Sequence, residues 1–525
     1  MAAALPALPL AAAAATPKAH QVVEEWGKRF GGLARFKLLH DAILITDPVV
    51  VEEVLGRRGA EELPKPALIY KPLDPIYSSK SIPSFFTTPD TAVWAAVRKD
   101  CAPAFSPDNM RKAFPVVRDV VQQVGDHLEA QAASPAGRDG VDLQDAALRV
   151  ALDAFALTAL QHDFGARRCG ECEVLQVLPG LLAEFSLRAL NPLRAVLHAL
   201  VPWSRDAAAF SSNLGKAHAL WAQLAAEVQA TDLAAAEAAG DTSLRVGLAR
   251  LKDPATGQPL SEEQLAPHIA AFLVAGFETT AHPVAWALYE VARHQEVQAK
   301  LAAELAGAGL AAAPGRPARQ LEQTDLSSLP YLDQVWREAL RLHPVGSVGP
   351  IRLADRDITL KNGLHVPKGT MLWTSACAIH TSESNYIQPQ RFWPERWAQP
   401  ASSEAEAAAA AKAAAAALGR GERLPLWLLR PAHPSRQRGR PQALPCSILL
   451  RSARLHWPGP GQHGGQGHDC QPGRPLLPRA GPPHGQPPAG AGGRGQQAHH
   501  AERRRRVAAA GAARRLTGSS ARCSS

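Results

Sequence analysis

The 525 residues predict a mainly α-helical body with a small β region, followed by a disordered C-terminal tail. Three observations carry that prediction. Apolar residues recur at helical spacing through most of the first 400 residues. An Asn-Gly pair at Asn362–Gly363 marks a hairpin. Beyond Gly419 the chain holds no Phe, Tyr or Met and one Ile, too little apolar matter to offset the entropy of ordering. The organisation expected is a leader or truncated anchor region over 1–19, a body over 20–400, an alanine-rich insertion over 401–418 and the tail over 419–525.

In order, residues 20–56 read as helix, two short extended runs, then a helix opened by Pro48, whose fixed φ suits a first turn. Ala92–Leu128 and Gln144–His198 carry helical patterns, and Ala207–Leu251 reads as one more. Pro267–His294 is nearly all apolar, which predicts a buried central helix. Leu329–Leu342 is a helix stopped before Pro344, and Ile358–Leu372 alternates around Asn362–Gly363. The first 16 residues are apolar and uncharged but lack the basic start of a secretory signal. No stretch of about 20 apolar residues is present to span a membrane.

The net charge is +9, yet residues 419–525 alone carry 18 arginines, no lysine and three acids. The body is therefore mildly acidic, and nucleic acid is not expected as its partner despite the Arg503–Arg506 run. Seven cysteines are too few for a disulfide scaffold at this length. Cys169 and Cys172 form a C-x-x-C with no second pair to complete a zinc site, and read as surface or helix-end thiols.

Two clusters stand out chemically. Phe272–Tyr289, "FLVAGFETTAHPVAWALY", sets Gly276, Glu278, Thr279 and Thr280 inside an apolar helix. Gly276 admits a close approach to the backbone. Thr279 can hydrogen-bond its own helix. Pro283 has no N–H to give the Thr279 carbonyl. The second cluster is "EALR", which puts Glu338 and Arg341 three apart on one helix face. It is followed by "HPVGSVGPIRL", by "HVPKGT", and by "RFWPERW" at Arg391–Trp397.

With these elements in this order, the chain resembles the cytochrome P-450 family of haem-thiolate monooxygenases from about His20 to Trp397. "AGFETT" matches the family's oxygen-activation motif at Ala275, Gly276, Glu278, Thr279 and Thr280. The resemblance implies that Glu338, Arg341 and Arg396 form a buried charge network. It implies that Trp94 and Arg98 of "WAAVR", with Arg352, contact the haem propionates. The cofactor it implies is heme b (iron protoporphyrin IX). The implied partners are O2, a small hydrophobic substrate and an electron donor, either an NADPH reductase or a ferredoxin. The implied location is a membrane of the endoplasmic reticulum, or a plastid. Two alternatives are a haem-thiolate isomerase or dehydratase, and an inactive product with a basic tail.

The resemblance departs from the family at one place. The Phe-x-x-Gly-x-Arg-x-Cys-x-Gly loop that carries the axial thiolate is absent, leaving Cys446 as a poor candidate ligand. "RSARLHWPGPGQHGGQG" at Arg451–Gly467 has no apolar period, and the tail reads as a frame-shifted translation.

Overall fold

The computed structural model describes residues 19–398, with short breaks at 31, 38–40, 57–62, 89–90, 136, 138–139, 191–192, 312–316, 347–348 and 384. The chain divides into units Met1–Pro478 and Arg479–Ser525. Residues 399–525, which include Cys446, the expected tail and all of the second unit, lie outside the described residues.

Capping chemistry fixes where the helices begin. Helix α1 is Ala19–Phe30. Helix α2, Pro48–Leu55, starts where the Asp47 carboxylate accepts from the Val49 and Val50 amides, with Pro48 at the first position. Helix α3 is Thr91–Cys101. Ser106 caps α4, Pro107–Ala133, and Asp142 caps α5, Leu143–Phe155. Helices α6, Glu173–Leu190, and α7, Leu193–Leu200, follow. Ser204 caps α8, Arg205–Gln229.

The Ala207–Leu251 segment is not one helix. After α8 the chain forms two short helices, Leu233–Ala238 and Leu244–Ala249, capped by Asp232 and Ser243 and separated by Gly240 at φ +63°. The alanine-rich composition supports helix throughout, and the two caps and the left-handed glycine divide it.

Helix α9 runs from Glu262 to Arg293, five residues earlier than the apolar run begins. A capping box explains the difference: the Ser261 hydroxyl accepts from the Gln264 amide, and the Gln264 side chain accepts from the Ser261 amide. Leu265, Ile269, Leu273 and Phe277 are buried along it, and α5 and α8 pack against it. The helix stays continuous through Pro267 and Pro283. Helix α10, Gln295–Gly307, and helix α11, Pro330–Leu342, complete the body around it.

Strands β1, Leu33–Lys37, and β2, Asp41–Ile45, form an antiparallel pair. Strands β3, Ile351–Leu353, β4, Ile358–Thr359, β5, His365–Val366, and β6, Met371–Thr374, come roughly 300 residues later in the sequence. The main sheet has the order β1-β2-β6-β3, with β2 and β6 parallel and Ala42 opposite Met371. The Asn-Gly hairpin is the β4–β5 pair, with Gly363 at φ +84° and the Asn362 side chain accepting from the Leu364 amide. Helix α12, Ala376–His380, packs on α1 and α11.

Candidate functional site

In α9 three side chains within four residues bond back to carbonyls four residues earlier. Thr279 Oγ1 donates to the Ala275 carbonyl at 2.5 Å and Thr280 Oγ1 to that of Gly276 at 2.8 Å. His282 Nδ1 donates to the Glu278 carbonyl at 2.9 Å. Pro283 brings no N–H to the Thr279 carbonyl. The turn from Ala275 to Thr279 is thus loaded by side chains where the next turn lacks an amide, as the sequence anticipated.

Gly276 has a plain packing reason. A Cβ there would lie 2.4 Å from Phe155 Cδ2. The group admitted to the α9 backbone is a ring of α5, so Gly276 sets how closely these two helices approach.

Glu278 is half-buried on the same turn. Burial pushes its carboxyl up from 4.5 to about 7, and among the described residues no hydrogen bond or ion pair opposes that shift. Its charge reaches Tyr77, whose hydroxyl is pushed up first by burial, then by Glu278 and Asp74. Asp74 is itself buried, and its Oδ1 has no partner in the described structure. Sequence reasoning missed Asp74 and Tyr77, because "LDPIY" carries no spacing that marks a site.

The aromatic wall next to this turn is dense. Phe85 and Phe272 stack at 4.3 Å, and the Phe85 amide donates to His268 Nδ1 at 2.9 Å. Burial drives His268 down to about 4, so it is neutral at ordinary pH.

Trp94 and Arg98 lie on α3, where the guanidinium sits 5.5 Å from the indole centroid. Arg352 lies on β3, buried, with Nη1 donating to the Ile351 carbonyl at 3.2 Å. Burial lowers its pKa, against which the neighbouring Tyr70 hydroxyl acts. These residues and the α9 turn occupy three separate elements.

Glu338, Arg341 and Arg396 do come together, and deeply. Arg341 donates to both Glu338 oxygens at 2.9 and 2.8 Å, and Arg396 Nε donates to Oε1 at 2.9 Å. The Trp393 amide and Trp397 Nε1 complete the carboxylate's shell at 3.0 and 2.9 Å. Arg341 Nη1 also reaches the His380 and Pro389 carbonyls. Burial alone would raise the Glu338 carboxyl; the Arg341 hydrogen bonds and the two guanidinium charges outweigh it and hold it below the usual range. His380 Nδ1 donates to the Arg341 carbonyl at 3.0 Å, and burial takes this ring to about 4. His380 and Trp397 were not legible as partners, since one His and one Trp show no pattern.

Cys101 and Cys377 are buried free thiols, as is Cys172 just before α6; Cys169 is half-buried. The C-x-x-C is therefore a pair of helix-end thiols. Among the described residues no group of His, Cys, Asp or Glu could hold a metal ion, and no helix is long and apolar enough to cross a membrane.

Comparison with known proteins gives the same picture. Cytochrome P450 4e2 of Drosophila melanogaster is 28% identical over 313 residues, 58% of this chain and 57% of that protein. Cytochrome P450 monooxygenase 128 of Postia placenta is 25% identical over 331 residues, 57% of this chain and 59% of its own length. The mitochondrial 25-hydroxyvitamin D-1 alpha hydroxylase of Rattus norvegicus is 36% identical over 140 residues, 27% of each chain. The chain thus spans less than two thirds of each of these curated relatives. The cytochrome P450 family model matches residues 7–411. A match over most of the chain, on a helical body with a buried Glu–Arg–Arg network, means that the protein belongs to the cytochrome P450 family.

Proposed function

We propose that the protein is a haem-dependent monooxygenase type, whose completed form inserts one oxygen atom of O2 into a small hydrophobic molecule. Electrons would come from an NADPH reductase or a ferredoxin. The observation that carries this reading is the Glu278–Thr279 pair on α9, a carboxyl titrating near 7 beside a hydroxyl that can turn from its own helix. Haem supplies the oxygen chemistry in this family. The residues here fit it in part. Arg352 is a desolvated cation whose lowered pKa an anionic propionate would reverse, and Arg98 offers a second guanidinium over Trp94. The axial side does not fit, for the written sequence carries no cysteine in the family's loop.

What the chain's own residues can do is move a proton. At neutral pH Glu278 is shared between its acid and its base form, the condition for efficient general acid work. Thr279 Oγ1, released from the Ala275 carbonyl, can accept that proton while handing its own hydroxyl proton onward. The aromatic wall of Phe85 and Phe272 supports a hydrophobic substrate. Association with an endoplasmic-reticulum or plastid membrane is supported by Val196, Leu197, Leu200 and Trp203, all exposed around α7, with Trp203 at 77%.

The test uses a protein with the thiolate loop restored. Turnover should require reductant and O2 and put one labelled atom from labelled O2 into product. Turnover without either would point instead to isomerase or dehydratase chemistry. Thr279→Ala should keep haem and substrate binding while sending reducing equivalents to peroxide, because positioned acid catalysis contributes about 10²–10⁴-fold. Unchanged coupling would remove Thr279 from the relay.

A further inference from the structure

We infer that Asp74, with the Tyr77 hydroxyl and the Glu278 carboxyl, anchors the protonated amine of an amphiphilic substrate, so that the protein takes hydrophobic amines in preference to alcohols or acids of the same shape. The inference rests on the proposed function, whose substrate it narrows from small hydrophobic molecules to cationic ones.

Asp74 and Tyr77 begin and end a one-turn helix, Asp74–Tyr77. Residues three apart share a helix face, so the two side chains leave the turn together. The backbone of this turn is held by α8. Trp221 Nε1 donates to the Ile76 carbonyl at 3.1 Å, and His218 Nε2 donates to the Pro75 carbonyl at 2.7 Å. The turn packs on α9 as well. The loop that follows is pinned to α9 through the Phe85–Phe272 stack and through the Phe85 amide on His268. The acid therefore stands on a support fixed by two long helices, as a binding group requires.

What the turn presents is an uncompensated carboxyl. Asp74 is 2% exposed. The Thr87 side chain hydrogen-bonds it, but Oδ1 has no partner in the described structure. Burial pushes this carboxyl up, against the Thr87 bond and the charge of Lys71, which is itself exposed to water. Folds leave few buried polar atoms unpartnered, because each one costs stability. The charges of Glu278 and Asp74 both act on the Tyr77 hydroxyl, so the three groups form one acceptor-rich patch. Among the described residues neither carboxyl is neutralised by an ion pair.

The walls and the patch together select the ligand. Phe105 lies 6.3 Å from Phe272, and Tyr70 meets Phe86 edge-on at 5.6 Å. Such rings accept an apolar body, and their faces also favour a cation. A carboxylate on the ligand would meet two like charges. A hydroxyl would give Oδ1 a hydrogen bond and leave its charge unanswered. An ammonium supplies the opposite charge and has three N–H groups to share among Asp74, Tyr77 and Glu278.

The test titrates the full chain calorimetrically near neutral pH with phenylbutylamine, phenylbutanol and phenylbutyrate. The amine should bind about 10- to 100-fold more tightly than the alcohol, the range expected for a hydrogen bond to a charged group, and the acid should bind most weakly. Asp74→Asn keeps an acceptor for Thr87 and removes the charge. It should lower the amine affinity to that of the alcohol and leave the alcohol affinity unchanged. The same variant reads the uncompensated charge directly. Without ligand its urea midpoint should exceed that of the wild type, and saturating amine should close the gap by raising the wild type more. If Asp74 serves only the fold, the variant will have an equal or lower midpoint, or fail to fold, and the inference is overturned. Equal affinity for amine and alcohol, or binding of neither, overturns it too. Labelled O2 supplied to the protein with its thiolate loop restored judges the proposed function separately. Amine preference without incorporation removes the monooxygenase reading and leaves the anchor; incorporation without amine preference does the reverse.

Discussion

Replacing Glu278 with glutamine should stabilise the protein, and only above neutral pH. The carboxyl titrates at about 7 in the folded chain against 4.5 as its ordinary value, and burial is the cause. Its folded pKa is raised, so its full contribution to stability is present below 4.5 and is lost as pH rises through about 7. One pKa unit corresponds to about 1.4 kcal/mol, so ionising Glu278 inside the fold costs roughly 3–4 kcal/mol at most. The side chain is not sealed from water, and screening reduces that to about 1–2 kcal/mol. Glu278→Gln removes the charge and nearly preserves the volume. Urea unfolding followed by circular dichroism at about pH 5 and about pH 8.5 should show near-equality at the lower pH. At the higher pH the variant should be more stable by about 1–2 kcal/mol. A gain of equal size at both pH values, or none at the higher one, would refute burial as the source of the shift and remove Glu278 as a proton carrier near neutrality.

Arg341→Ala should cost about 3–5 kcal/mol, because it leaves Glu338 buried without two of its five hydrogen bonds and without one of its two guanidinium charges; soluble protein with wild-type urea midpoint would contradict the network. Gly276→Ala should cost about 1–3 kcal/mol through the 2.4 Å approach of Phe155, and Phe155→Leu in the same chain should recover part of that loss. His268 and His380 are held neutral down to about 4 by burial. Their folded pKa values are depressed, so the stability they contribute is present above about 6.5 and lost as pH falls toward 4. His268→Gln should therefore flatten the acid limb of the stability curve, and an unchanged limb would refute the assignment.

Much of this body was legible because its signals are local. A nearly continuous apolar run gave α9, Pro48 gave the start of α2, and Asn362–Gly363 gave the β4–β5 hairpin. Glu338 and Arg341 were visible as a pair, and Arg396 through the family's order of motifs. The parallel pairing of β2 with β6 was not visible, because its register joins Ala42 to Met371 and nothing near either residue encodes the other. The partner of Gly276 was hidden for the same reason: a glycine announces room but not what fills it. The breaks at Asp232 and Ser243 were masked by alanine, which favours helix on both sides of a cap. The raised carboxyl of Glu278 depends on packing from other elements, which a single helix sequence does not contain.

The charge network also bears on how the chain matures during synthesis. Glu338 and Arg341 form their pair within one helix turn, but the shell that lets them leave water comes from Trp393, Arg396 and Trp397, up to 59 residues later. At the usual rate of about 5–20 residues per second, translation needs on the order of three to twelve seconds to cover that interval. Until it does, α11 cannot bury its charged face without leaving a carboxylate short of partners. A nascent chain paused inside the interval therefore holds an open seam next to α12, and the arrival of "PERW" is the event that closes it.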